Sequence, residues 1–460
     1  MRKIALLLLF ALLLSLCACG EPVKLEWMPF DGDPESYSYY HETERERKWE
    51  EDILALAQNF SDNYPIFQQG KSHMYYYAIQ GIDTTIGYLY DGQLRSKFFE
   101  DVNALIPKLK ELTDSQIRFE LQKLVASLGD AHTRLWVETS YVLPVVAEPF
   151  YVDEEVEYRV VVLPRAFGSM LYSKLLAING VTIDQVIERL KPYASVENTY
   201  GLVAEMSEMG GLLCESELLA HVGILESPQQ SAKLTMQAGN GEIYTISVAP
   251  VSPTEMGELA NESIFVACSY SFQNWYEENY WYEIQPEEGI AFVRINRFIE
   301  ENDESLKQMF ESLMADMKSN PQVSRVIVDL RRNGGGQSFM TGYPRLLQAL
   351  KLPQIEKVSV LIDQGSFSQS VIMAYEIRRE ISTAVVMGIP AGEGSFLIGI
   401  EGDESTLPNS GLMYRVATVP VDLDRKLPFD ALTPDVIVYP TLEDYKAGVD
   451  TILEAAKSKE

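Results

Sequence analysis

The segment VSVLIDQGSFSQSVIMAYEIRR (residues 358–379) changes from a strand pattern to a helix pattern, and Ser368 lies where the change occurs. Apolar residues alternate in 358–362, as in a strand, and then recur at helical spacing from Ser368 onward. The free N–H groups at a helix N-terminus favour a developing negative charge, so a serine here can be a nucleophile. It can equally be an N-cap, a role that Ser366 or Ser370 would fill as well.

The chain around this segment alternates strand patterns with helix patterns. IAFVRI (290–295), VSRVIVDL (323–330) and TAVVMG (383–388) are strand-like, with helical patterns between them, and DVIVYPTLEDYKAGVDTILEAA (435–456) closes the chain with a strand and a helix. Alternation of this kind predicts an α/β domain.

A glycine run follows one of these strands, in VIVDLRRNGGGQS (326–338). Three glycines after Asn333 require a sharp turn or a close approach of the backbone to another group, and an exposed N–H in such a loop can complete an oxyanion hole. A phosphate cradle is disfavoured, because there is no lysine at Walker spacing and no GxGxxG opening a helix. An ordinary structural turn remains the alternative.

A nucleophilic serine needs a base, and the chain has four histidines: His41, His73, His132 and His221. His132 is the best candidate, because it follows a predicted helix that begins after Thr113 and stops at Gly129, and such loops often carry working residues. His41 falls in a predicted spacer, His73 lacks a catalytic context, and the apolar stretch around His221 predicts a core residue. The absence of lysine between positions 357 and 426 disfavours a Ser–Lys dyad.

Composition limits the possible partners and cofactors. The chain has 460 residues with 67 acidic and 38 basic side chains, so two or three domains are expected and nucleic acid is an unlikely kind of partner. No Cys/His cluster suggests a metal, and the proposed chemistry needs no cofactor.

The N-terminus resembles an export signal. Arg2 and Lys3 precede an apolar run (4–16) that is too short for a permanent membrane span. Leu16-Cys17-Ala18-Cys19 resembles a bacterial lipoprotein cleavage box with Cys19 as the lipidated residue, and an ordinary signal peptide is the alternative. A lipid anchor implies tethering to the outside of the cytoplasmic membrane. Cys214 and Cys268 are expected either to be buried separately or to pair.

The first half of the chain divides into two further regions. Residues from about 44 to 128 have helical patterns, whereas strand signals dominate from about 141 to 250, with a hairpin around Gly239-Asn240-Gly241. The middle region resembles a PDZ-like module, especially at KLLAINGVTIDQVIERL (174–190). Peptide capture by β-augmentation and a plain β-rich spacer domain both remain open.

Four motifs together resemble the tail-specific, or C-terminal processing, serine peptidase family: LGDAHT (128–133), VIVDLRRNGGG (326–336), GSFSQS (365–370) and TPDVIVYPTLED (433–444). The resemblance implies that Ser368 is the nucleophile and that the backbone N–H groups of Gly335 and Gln369 form the oxyanion hole. One branch of the family uses a lysine at about the place where this chain has Glu393, so the residue type excludes the Ser–Lys mechanism.

The tricorn-like Ser/His branch fits better. His132 matches its histidine, and Ala131 stands where that branch has a supporting serine. Its acidic member falls shortly before the position of Pro434-Asp435, where Asp430 is the nearest carboxylate in this chain. The resemblance therefore implies a triad of Ser368, His132 and Asp430.

These observations predict a multidomain α/β protein: a signal peptide (1–19), a spacer (20–43), a helical region (44–137), a PDZ-like domain (138–255) and a crotonase/ClpP-like α/β peptidase domain (265–460). The expected function is an exported, membrane-tethered serine endopeptidase that acts on peptides or protein tails through an acyl-enzyme. The alternative is an inactive peptidase-like surface lipoprotein that binds peptides. The sequence leaves the oligomeric state open.

Overall fold

A computed structural model describes residues 40–69, 90–152, 155–207, 211–256, 278–300, 305–336, 339–394, 396–399, 404–423 and 431–458. Cys19, His73, Cys268 and Asp430 lie outside these residues, as does the signal peptide. Within the described residues, no helix combines the length and the apolar character needed to cross a bilayer.

The helices of the described residues are α1 (Glu44–Asn63), α2 (Gly92–Leu105), α3 (Asp114–Ala126), α4 (Ile183–Leu190), α5 (Thr199–Ser207), α6 (Ser216–His221), α7 (Leu306–Ser319), α8 (Phe339–Leu350), α9 (Gln369–Glu380), α10 (Leu442–Ala447) and α11 (Thr451–Lys457).

The strands are β1 (Arg134–Leu135), β2 (Val146–Val152), β3 (Glu155–Val162), β4 (Lys174–Ile178), β5 (Val181–Thr182), β6 (Ala232–Gln237), β7 (Ile243–Val248), β8 (Tyr280–Gln285), β9 (Ile290–Ile295), β10 (Arg325–Asp329), β11 (Lys357–Ile362), β12 (Ala384–Gly388), β13 (Phe396–Gly399), β14 (Ser405–Thr406), β15 (Met413–Arg415), β16 (Val419–Asp422) and β17 (Val436–Ile437).

The C-terminal part of the chain forms a six-stranded sheet in the order β17-β12-β11-β10-β9-β8. Five of these strands are parallel, and β8 alone runs antiparallel, at one edge. The buried faces of α7, α8 and α9 pack with the sheet in one hydrophobic cluster. The alternation of strands and helices predicted from the sequence is confirmed.

Parallel strands bring their carboxyl ends to the same edge of a sheet. The glycine run follows β10, Ser368 follows β11, and Glu393 follows β12, and these three strands are neighbours in the order β10-β11-β12. The fold therefore places three loops with chemically informative residues side by side.

The middle of the chain contains a second sheet in the order β2-β3-β4-β6-β7, with β5 paired to β4. The predicted hairpin is present as antiparallel β6 and β7. The turn between β4 and β5 uses Asn179 and Gly180, both with positive φ, as the Asn-Gly pair requires. The region is less purely β than predicted, because α5 and α6 lie within it.

The N-terminal helices pack into a third hydrophobic cluster. Thr113 caps α3 through a capping box with Gln116, which confirms the predicted helix start. Chain from far downstream joins this unit: β15 pairs antiparallel with β1, and Leu407, Leu412, Tyr414 and Ala417 contribute to its core. The sequence analysis included these residues in the peptidase region.

His41 differs from its predicted surroundings. Its side chain is buried, and Nε2 lies 2.8 Å from the carbonyl oxygen of Ile106. The expectation that it lies in a spacer is therefore wrong, because the helical unit already includes it. His221 is only partly buried: its ring packs against Phe119 and Tyr193, and its Nε2 lies 3.6 Å from Glu120, so it is at the edge of the core and not within it.

Candidate active site

Ser368 stands immediately before α9 with φ 58° and ψ −121°. Positive φ is costly for a residue with a side chain and persists only where the surrounding structure enforces it, often at functional sites. The side chain of Ser368 makes no hydrogen bond to cap the helix. The capping role that the sequence left open is therefore not the role of this hydroxyl.

The two neighbouring serines stabilise the turn before α9 instead. Ser370 Oγ accepts a hydrogen bond from Phe367 N (2.7 Å) and donates to the carbonyl of Asn333 (2.9 Å). Ser366 Oγ donates to the carbonyl of Leu330 (2.9 Å). Together they fasten the turn to the end of β10, and the Ser368 hydroxyl remains available for another partner.

That partner is His132. Its Nε2 lies 3.0 Å from Ser368 Oγ, although 236 positions separate the two residues in sequence. The imidazole is 3% exposed, and its ring stacks on Phe367 with a centroid distance of 4.4 Å. The fold thus brings together the serine and the histidine that the sequence singled out.

The loop that carries His132 is held at several points. Gly129 has φ +64° and ends the α3 region. Asp130 Oδ1 accepts from the His132 backbone N–H (2.9 Å), and Arg415 Nε on β15 donates to the His132 carbonyl (2.8 Å). These contacts fix the backbone, so the ring has a defined position relative to Ser368.

Burial lowers the pKa of His132 to about 3, and the charges of Arg415 and Arg134 act in the same direction, against Asp130. The imidazole is therefore neutral at pH 7 and is able to accept a proton from the serine hydroxyl. The imidazolium formed in that step needs a nearby negative charge, because it is buried.

Glu393 is placed to supply that charge when it is ionised, and the sequence analysis did not assign it this role. Its Oε1 lies 3.0 Å from His132 Nδ1, and its side chain is completely buried. The two atoms are within 3.0 Å of each other but do not form a hydrogen bond in this structure. The other oxygen, Oε2, accepts from the backbone N–H of Ser368. One carboxylate therefore contacts both the histidine and the nucleophile's backbone.

Asp430, the acidic residue predicted from the family pattern, lies outside the described residues. A signal for Glu393 existed in the sequence, because it follows the strand TAVVMG by only a few residues. A strand parallel to and next to the one before Ser368 must deliver its following loop to the same edge. Burial raises the pKa of Glu393, whereas the bond from Ser368 N–H acts in the opposite direction.

The glycine run touches the serine directly. Gly335 has φ +94°, and a Cβ placed on it would lie 2.6 Å from Ser368 Cβ, so no other residue fits without displacing the nucleophile. Its N–H, predicted as an oxyanion donor, donates to Asn333 Oδ1 (2.8 Å) in this structure. Gln369, the other predicted donor, is the first residue of α9 and has no preceding turn of helix to bond. Negative charge that develops on a group bound to Ser368 would thus lie near the backbone N–H groups at the start of α9.

A buried ion-pair network includes Arg331, which lies shortly before the glycine run. Arg331 donates to Asp329 and, through two nitrogens, to Asp450 at 2.7 and 2.6 Å. Arg294 contacts Asp329 at 2.7 Å. Charges buried in this way are tolerated when paired, and the network links the end of β10 to α11.

A cavity of about 220 Å³ is lined by residues that neighbour the site in sequence, although Ser368 itself does not line it. Phe367 and Gly334 of the C-terminal α/β region line it on one side, and Ala131 and Arg134 of the N-terminal region line it on another. Glu205 of α5 also lines the cavity and forms an ion pair with Arg134.

Asp130, His132 and Glu197 have ligand-type atoms within 4.8 Å of one another. We assign no metal to this group. Both oxygens of Asp130 already accept hydrogen bonds, and the two ring nitrogens of His132 face Ser368 and Glu393.

No family model matches the sequence, and no curated protein matches it. Solved structures do. Mature CPAF is similar over 90% of this chain and 96% of its own, at 11% identity and a TM-score of 0.59. CPAF complexed with lactacystin is similar over 88% and 96%, at 11% identity and a TM-score of 0.58. The photosystem II D1 C-terminal processing protease is a looser match, at 12% identity and a TM-score of 0.41. The chain shares the fold of CPAF over most of its length.

Proposed function

We propose that this chain is a serine endopeptidase of the tail-specific family. The observation that carries the proposal is the contact chain Ser368 Oγ–His132 Nε2 at 3.0 Å and His132 Nδ1–Glu393 Oε1 at 3.0 Å. A hydroxyl, a neutral imidazole and a buried carboxylate in this order form the arrangement that acyl-transfer enzymes use on unrelated folds. The fold shared with CPAF is consistent with it.

The reaction begins when Ser368 Oγ attacks the peptide carbonyl while His132 removes the hydroxyl proton. The resulting imidazolium is stabilised by Glu393, and the oxyanion is stabilised by the Gln369 N–H at the start of α9. His132 then gives its proton to the departing amine, and the acyl-enzyme remains on the serine. Water, activated by the same imidazole, hydrolyses the ester and restores the enzyme.

We assign the chain to the Ser/His branch of the family. Glu393 occupies the neighbourhood in which the other branch has its lysine, and it contacts an imidazole that a Ser–Lys enzyme does not need. The acidic member of the triad is therefore Glu393 in this proposal, in place of Asp430.

The remaining assignments extend this proposal. The middle sheet acts as a PDZ-like module that guides peptides, with β2 at its edge, and the C-terminal sheet is of crotonase/ClpP type. The N-terminal sequence, with Cys19 as the lipidated residue, supports export and tethering to the bacterial membrane.

A second function is favoured by one observation. The N–H groups of Gly335 and Ser368 are both engaged, with Asn333 and Glu393, so two backbone donors near the nucleophile face away from a substrate. A protein that keeps this arrangement would bind peptides without turnover. In the proposed enzyme the Gln369 N–H holds the oxyanion, and the Gly335 N–H would become a second donor only if the Gly335 peptide turned.

A fluorophosphonate probe decides between the two functions. We expect covalent labelling of the wild-type protein, none in Ser368→Ala, and labelling at least 100-fold slower in His132→Ala, the low end of the usual general-base contribution. Ser319→Ala, which removes a hydroxyl on α7 that donates to Ala315, should label like wild type. Absence of labelling in folded wild-type protein would refute the peptidase and favour the binding protein.

A further inference from the structure

Glu197 lies in a part of the middle region that packs on the loop carrying Glu393. The Glu197 carboxylate accepts from the backbone N–H of Gly394 at 3.4 Å. Four residues further on, Gly201 packs so tightly that a Cβ there would lie 2.8 Å from the carbonyl oxygen of Gly392. Contacts on both sides of Glu393 therefore come from this segment, and they restrict where its carboxylate can stand.

The same carboxylate reaches the loop that carries the histidine. Its oxygen lies within 4.8 Å of a ring nitrogen of His132 and of an oxygen of Asp130. The backbone N–H of Ala131 also acts on this carboxylate, in the direction that lowers its pKa. Glu197 thus bridges two loops that come from different parts of the fold, and these are the loops that hold the base and the acid of the triad.

The pKa of Glu197 is also shifted. Burial, followed by the charges of Glu393 and Asp130, raises the pKa of Glu197 well above its ordinary value. Burial likewise raises the pKa of Glu393. When two such carboxylates share a site, ionisation of one increases the proton affinity of the other.

Other groups face this cluster from the surrounding elements. The Tyr64 phenol lies next to the end of α1; burial, followed by the charges of Asp130 and Glu197, raises its pKa. Arg134 on β1 and Arg415 on β15 provide positive charge near the His132 ring. The cluster therefore contains three carboxylates, two guanidinium groups, one phenol and the imidazole.

We infer that Glu197 is a positioning residue for the triad, one that ties the His132 loop to the Glu393 loop and tunes the pH at which the site becomes competent. The inference rests on the proposed peptidase function. Through Glu197, the middle region would hold the His132 and Glu393 loops in place and contribute charge near them, in addition to any role in binding peptides.

The test compares Glu197→Gln with Glu197→Ala in the full chain, using the fluorophosphonate labelling rate from pH 4 to pH 9. Glutamine retains an oxygen that accepts the backbone N–H groups, whereas alanine leaves them without an acceptor. We expect the glutamine variant to keep the neutral-pH rate within about threefold and the alanine variant to lose about tenfold or more, in line with the loss of one to two buried hydrogen bonds.

The pH profile separates this role from ordinary structural support. Glutamine cannot ionise, so the repulsion between the carboxylates of residues 197 and 393 is removed and protonation of Glu393 becomes less favourable. The acid limb, which reports the ionisation of Glu393, should therefore move to lower pH by about half a unit or more. Glu188→Gln, an exposed change on α4 of the same region, should leave the profile unchanged.

Two outcomes would overturn the inference: a Glu197→Gln profile that superimposes on the wild-type profile, or an equal loss of rate in both variants with an unmoved acid limb. Thermal unfolding checks that each variant is folded, and if the alanine variant is not, the glutamine profile decides alone. Failure of the wild-type protein to label would instead refute the peptidase proposal, so the two failures are distinguishable.

Discussion

Replacing Glu393 by glutamine should slow acyl transfer strongly while leaving the fold intact. The glutamine is nearly isosteric, but it carries no charge and offers one acceptor oxygen in place of two. Glu393 accepts from the Ser368 N–H with one oxygen and faces His132 with the other, so the amide group of glutamine must turn its NH₂ toward one of these donors. The change therefore removes the negative charge beside His132, and it also removes one of the two acceptor oxygens that orient the His132 ring and the Ser368 backbone.

The magnitude follows from the distance. Two opposite unit charges 3.0 Å apart, the separation of His132 Nδ1 and Glu393 Oε1, attract by about 5 kcal/mol at an effective dielectric constant of roughly 20. That energy is available to the imidazolium of the transition state and would correspond to nearly 10⁴ in rate. Because Asp130 still provides negative charge near the ring, we expect a loss of about 10² to 10³ in kcat/KM.

The assay is the pseudo-first-order labelling rate with a fluorophosphonate, followed by kcat/KM on any peptide that the wild-type protein cleaves. Glu376→Gln is the matched control, because that buried carboxylate lies on α9, near the site in sequence, but pairs with Arg379. A Glu393→Gln protein that is folded and labels within threefold of wild type would refute the assignment of the triad acid.

Three further predictions concern the scaffold of the site. Gly335→Ala should abolish labelling, because its Cβ would meet the nucleophile at 2.6 Å, whereas Gly334→Ala, where the added Cβ has open space, should retain it; equal effects would contradict the close approach. Asp450→Asn should lower the free energy of unfolding in urea by about 2 kcal/mol, because the buried guanidinium of Arg331 loses one of its two charged partners and keeps Asp329, while the exposed Glu454→Gln should change it little. Burial raises the pKa of Glu215 to about 8 from 4.5, so the folded protein holds a proton that the unfolded chain releases, and the stability from this group is lost as the pH rises through about 8. The melting temperature of Glu215→Gln should therefore fall less between pH 5 and pH 9 than that of wild type, and equal falls would contradict the burial.

Local patterns were sufficient to predict the alternating C-terminal elements, the capped start of α3 and the pairing of a loop histidine with Ser368. Each depends on short-range rules: apolar period, capping preference, and the residue types that acyl transfer requires. The motifs at 128–133 and 365–370 carry these signals within a few residues.

Glu393 was missed because its role depends on sheet topology. Its own neighbourhood, GIPAGEGS, has no periodicity, and only the parallel order β10-β11-β12 puts it beside Ser368. The helices α5 and α6 were missed for a similar reason: their apolar residues serve the core of the middle region, and short helices give weak periodicity. The engagement of the Gly335 N–H by Asn333 depends on loop geometry that residue types do not specify.

The pairing of β1 with β15 has a consequence for the cell that makes this protein. Arg415 holds the His132 backbone through its carbonyl, and β1 pairs with β15. The loop that carries His132 therefore lacks these contacts until residue 415 has been synthesised, even if the N-terminal helices fold first. We therefore expect the contact between His132 and Ser368 to become stable only after about nine-tenths of the chain has been made, when β15 pairs with β1.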